Sequence, residues 1–173
     1  MIKKAVKSNF IKFCMAFAAS LIFAAACYDI LLFFGISPFF KFYKSYCYHM
    51  IYPLQFMAIP CFVFSALAVL FLNKFNSISL SKQILLTLFI IALTVIISSM
   101  PGGMLWHFHD MRAGYFPSNW GWKIVRYGFR EGMQIGWLII LLSVPYNIIG
   151  AFTAFFIMKT LSVFSKDGTE KRK

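Results

Sequence analysis

The chain has 173 residues, of which 61% are hydrophobic and 13% charged, and its mean hydropathy is +0.76. A water-soluble domain of this length keeps a largely polar exterior, so the composition excludes one and makes lipid the solvent for most of the chain. The net charge of +12 would suggest nucleic acid in a soluble protein, but the seventeen Lys and Arg lie mostly between and beyond apolar runs. Positive charge there sets membrane orientation, and no nucleic-acid partner is expected.

Four runs are long enough to cross a bilayer, at residues 13–34, 50–72, 84–100 and 133–158. Each is near the roughly 20 helical residues that span the hydrocarbon. They are apolar on every face, unlike the alternating strands of an outer-membrane barrel, and helices satisfy their own backbone in lipid. The predicted fold is an all-α integral membrane protein, a bundle of four transmembrane helices forming one membrane domain over residues 1–173. Outer loops are predicted at 35–49 and 101–132, a cytoplasmic loop at 73–83 and a cytoplasmic tail at 159–173. With the amino terminus inside, eleven Lys and Arg are cytoplasmic and six are outside. Both termini are therefore expected in the cytoplasm, and the compact basic ends suggest a bacterial-type inner membrane.

In the first run, a basic start followed by Ala24-Ala25-Ala26-Cys27 has the look of a signal peptide or an acylated-cysteine motif. Apolarity continues through Ile30 to Phe34, which favours a plain first span. Ala16, Ser20 and Ala24 recur every four residues on one helix face. Small residues at that spacing let helix backbones approach in lipid, within the chain or between copies. Asp29, on the last turns of the span, would pair with a base of the large outer loop or reach headgroup water.

The first loop gathers Phe39, Phe40, Phe42, Tyr43, Tyr46 and Tyr48 around Lys41 and Lys44, the composition of an interfacial collar. Cys47 could meet Cys27, but the chain has no CxxC, and four free packing cysteines are the expectation. In the second run Pro53 opens the helix and Pro60 kinks it. The short polar stretch from Asn73 to Lys82 makes the second and third spans antiparallel neighbours.

Pro101-Gly102-Gly103 is expected to end the third span. The long loop that follows holds the chemistry-bearing residues. Met104, His107, His109 and Met111 form a thioether and imidazole set of the kind that selects copper(I), although a His-x-His pair diverges in extended chain. His107 or His109, oriented by Asp110, could also serve as a general base. The plainer expectation is interfacial histidines bonded to Asp110 or to lipid.

From Ser118 to Gly132 a short interfacial amphipathic helix is predicted, capped by Ser118 or Asn119. Lys123, Arg126 and Arg130 share one of its faces and would meet anionic headgroups or phosphate. In the last run Pro145 should kink the helix, and Gly150 and Ala154 form a second small pair suited to packing against the first span.

Walker loops, nucleotide-binding glycine runs, HExxH and CxxC are missing from the sequence. The leading expectation is a non-catalytic inner-membrane protein acting through helix contacts in the bilayer, with lipid, another membrane protein or itself as partner. In size, charge and build the chain is similar to the four-span immunity proteins of pore-forming colicins, a likeness of type that implies an accessory or immunity-like role. Two alternatives stand beside it: copper or other transition-metal handling by the Met/His loop, and an enzyme acting on a lipid, with a His/Asp base and an Arg phosphate clamp.

Overall fold

The computed structural model of the chain describes residues 2–34, 53–142 and 146–170. Among the described residues there are five α-helices, one 3-10 turn and no strand: α1 (Ile2–Phe34), α2 (Pro53–Ser77), α3 (Leu80–Arg112), the 3-10 turn (Ser118–Trp120), α4 (Trp122–Leu142) and α5 (Tyr146–Glu170). Helices α1, α2, α3 and α5 are long and apolar enough to cross a membrane, by Ser8–Cys27, Met57–Ser77, Leu80–Arg112 and Asn147–Ser165. The aromatic collar and Cys47 lie outside the described residues, as does Pro145.

Two boundaries differ from the sequence expectation. Helix α3 does not stop at Pro101: it continues through Gly102 and Gly103 for about three further turns, to Arg112. The stop is Gly114, whose φ of +85° is left-handed backbone that glycine adopts without strain. Gly114 N–H donates to the Met111 carbonyl at 3.1 Å, and Tyr115 N–H donates to the Asp110 carbonyl at 2.9 Å. Those two bonds are the Schellman pattern, which satisfies carbonyls left over at a helix end. The second difference is in the last apolar run, where the stretch long and apolar enough to cross a membrane lies at Asn147–Ser165 of α5.

The bundle core lies toward the end where α2 turns into α3. Ala16 of α1, Phe64, Ala68, Leu72 and Phe75 of α2, Ile90 of α3, and Ala154, Met158 and Leu161 of α5 form one buried cluster. Polar groups at this end tie the helices to one another. Gln83 Nε2 donates to the Phe75 carbonyl at 2.9 Å across the α2–α3 turn, and Lys12 Nζ donates to Ser165 Oγ at 3.1 Å between α1 and α5. Lys159 Nζ stands 5.8 Å from the Phe75 ring centre. Buried hydroxyls turn back on their own helices: Ser65 donates to the Cys61 carbonyl, Thr87 to that of Gln83, and Thr94 to that of Ile90. These three hydroxyls are satisfied, whereas the buried Ser98 Oγ has no hydrogen-bond partner among the described residues.

Outside the core, large apolar side chains point away from the protein on every long helix, among them Ile22, Leu70, Phe89 and Phe156. In water so continuous an apolar exterior would drive aggregation. Such a surface fits four helices that are long and apolar enough to cross a membrane, where lipid tails would be the facing phase.

Candidate functional site

Most residues singled out for chemistry fall on a helical hairpin made of the distal half of α3 and the first half of α4. Its seam is built of glycine. A methyl group placed on Gly128 would lie 2.6 Å from Cα of Met104 and 2.7 Å from the carbonyl oxygen of Gly103. One on Gly132 would strike the carbonyl of Ser99, and one on Gly103 the carbonyl of Gly128. The two backbones are therefore in contact, with no room for any side chain between them. Gly128 and Gly132 stand four residues apart, the small-residue spacing that allows such an approach. Because Gly103 faces Gly128 and Ser99 faces Gly132, the helices run antiparallel in a fixed register.

That register joins two residues far apart in sequence. His107 Nε2 and Glu131 Oε2 are 2.7 Å apart, with the His side chain 11% exposed and the Glu side chain 48%. Helical side chains lean toward the amino terminus of their own helix. In an antiparallel pair they lean toward each other, which lets His107 and Glu131 meet although their backbones are not level. Glu131 thus holds the place for which the sequence suggested Asp110.

Aromatic rings close the open end of the hairpin. The His107 ring meets Phe116 edge-on at 5.3 Å, Phe116 stacks on Trp120 at 5.2 Å, and Trp120 stacks on Tyr127 at 5.5 Å. This row connects α3, the connecting segment and the first turns of α4. Helix α4 starts after Gly121, later than the predicted cap at Ser118 or Asn119, because Gly121 (φ +40°) separates it from the 3-10 turn. At the tip, Tyr115 and Trp122 are 78% and 85% exposed.

The copper candidates are not brought together as one set. On helix α3, Met104, His107 and Met111 share a face, but His109 is two residues from His107 and projects to the opposite side. From Met104 to Met111 the rise is about 10 Å, two helical turns with His107 between them. Among the described residues no group of three or more His, Cys, Asp or Glu is placed to hold a metal ion.

The base reading meets a geometric obstacle as well. A general base must offer a ring nitrogen to the substrate, and with Nε2 of the buried His107 held by Glu131 only Nδ1 is left for that role. Lys123, Arg126 and Arg130 are exposed on α4, away from the glycine seam. Among the described residues none of the three forms an ion pair. Of the small residues expected to pack, Ala16 and Ala154 fall in the same core cluster, and Ala24 is half-buried. Ser20 Oγ donates to the Phe17 carbonyl, and Gly150 faces open space. Asp29 is exposed and has no ion-pair partner among the described residues.

Along the glycine seam the two helices of this hairpin are in backbone contact, and the outer face of α4 carries exposed cations. No family model, curated protein or solved structure matches the chain. The hairpin's geometry is thus the ground for a functional reading.

Glu131 and the Gly128/Gly132 pair were not among the candidate residues. The glycine spacing was a signal present in the sequence. The His107–Glu131 pair had none, since the two are 24 residues apart and only the register unites them.

Proposed function

We propose that the chain is a multi-pass membrane protein of a bacterial-type inner membrane, with both termini cytoplasmic, that works without catalysis by presenting the α3–α4 hairpin at the outer membrane surface for contact. The observation that carries this reading is the backbone contact along Gly103, Gly128 and Gly132, which makes the hairpin a solid projection. The inward turn of His107 toward Glu131 supports it too, because the histidine then fastens two helices. A helix of 33 residues is about 50 Å long, against a hydrocarbon layer of about 30 Å, so α3 has length to spare beyond the bilayer. The excess of positive charge at the opposite end of the bundle supports the orientation.

Photo-crosslinking in cells tests the contact role. A photoreactive residue at Tyr115 or Trp122 is expected to yield a discrete protein or lipid adduct, and His107→Gln is expected to leave that adduct in place. A reading by contact fails if neither position gives an adduct. It fails also if purified protein turns over a phospholipid and His107→Gln abolishes the turnover at normal expression.

A further inference from the structure

We propose that the outer face of α4 is a seat for acidic phospholipid headgroups of the bilayer leaflet that the hairpin meets. The inference rests on the membrane reading above and adds a ligand class to it.

The hairpin register supplies the levels. About 20 helical residues cross the hydrocarbon, and counted along α3 from Leu80 or from Ile84 they end at Met100 or Met104. The contacts of Gly103 with Gly128 and of Ser99 with Gly132 set Arg130 level with Pro101 and Arg126 level with Leu105. Lys123 follows about one turn further out. The two guanidinium groups therefore belong at the edge of the hydrocarbon, where lipid phosphates lie. Arginine offers a planar fork of donors that matches phosphate oxygens in pairs.

The apolar neighbours are ordered the same way. Phe129 and Met133, 44% and 51% exposed, lie level with Arg130 and below it, on the hydrocarbon side. Gln134, also exposed, lies four residues beyond Arg130, so this face runs from mixed apolar and amide side chains to two arginines and then a lysine. Nothing in the protein competes for the cations among the described residues: none of the three is in an ion pair, and the nearby Glu131 is turned to His107. Three positive charges close together have anionic headgroups as their complement. Zwitterionic headgroups offer no net attraction.

The experiment uses the full chain, with its four cysteines replaced, reconstituted in phosphatidylcholine vesicles. A fluorophore on Met133→Cys reports lipid composition beside the proposed seat. Vesicles contain a minor fraction of brominated phosphatidylglycerol or, in parallel, of brominated phosphatidylcholine as quencher. Co-flotation of protein with vesicles is checked first, and a chain that does not float overturns the membrane reading itself. For a chain that floats, quenching is expected to show phosphatidylglycerol enriched at least about fivefold beside the reporter. Raised salt should reduce that enrichment by screening. The variant Lys123→Gln/Arg126→Gln/Arg130→Gln is expected to bring both quenchers to parity, with Arg126→Gln alone in between. Equal quenching in the unsubstituted chain overturns the headgroup seat alone. So does enrichment that survives the triple change, and so does a face that ignores both lipids but is protected by an acidic protein.

Discussion

Glycine has two opposite meanings in this chain, and the structure separates them by what a side chain would touch. At Gly128 and Gly132 a methyl group would run into the backbone of α3, which cannot move aside as a flexible side chain can. Overpacking of this kind costs about 1–3 kcal/mol, while the gain in helix propensity from Gly to Ala is at most about 1 kcal/mol. The clash wins. Gly128→Ala and Gly132→Ala are each expected to lower the unfolding midpoint in detergent. At Gly102 nothing lies within 4 Å, so only the propensity gain remains and Gly102→Ala should hold or raise that midpoint. If Gly102 and Gly128 respond alike, the seam is not where it is described. Glu131 is about half exposed, at the level where the arginines meet headgroups, so the coupling of the His107–Glu131 pair should resemble that of a partly exposed ion pair, about 1 kcal/mol or less. A double-mutant cycle with His107→Gln and Glu131→Gln measures it, and a coupling of zero would mean the contact contributes nothing. The sequence signalled part of this arrangement. The GFREG spacing could have been read as a helix contact, whereas the partner of His107 depends on a register that no local pattern carries.

At the scale of elements, the run of apolar helices was legible because length and hydropathy alone decide it. The end of α3 was not. Proline followed by two glycines reads as a breaker, yet here proline removes one backbone bond while the glycine at 103 becomes the surface on which α4 packs. Tertiary contact outweighs the local preference, and the helix stops at the next residue that can take a left-handed turn, Gly114. Hydrogen exchange distinguishes the two outcomes: amides from Leu105 to Arg112 are expected to be protected, and exchange at open-chain rates there would restore the predicted loop. Gly114→Val should weaken the hairpin by about 1–2 kcal/mol, the cost of left-handed backbone for a residue with a side chain. An unchanged midpoint in that variant would deny Gly114 its role as the stop. The amphipathic pattern of Lys123, Arg126 and Arg130 was readable directly, since helix periodicity alone sets their shared face.

For the whole molecule, composition decides the class and charge suggests the orientation, while the arrangement of helices comes from contacts the sequence does not announce. Ala16 and Ala154 were recognisable as small residues. Their place in one core with Phe75, Ile90 and Met158 is known only from the fold. We propose that the α3–α4 hairpin stands on the outer side of the membrane and the α2–α3 turn on the inner side. It is tested most directly by cysteine accessibility in intact cells, using the chain with its native cysteines replaced. With a membrane-impermeant maleimide, Tyr115→Cys is expected to be labelled in intact cells, and Ser77→Cys only after the membrane is permeabilised. Labelling of Ser77→Cys but not Tyr115→Cys before permeabilisation would invert the orientation, and equal labelling of both would contradict the membrane-crossing account.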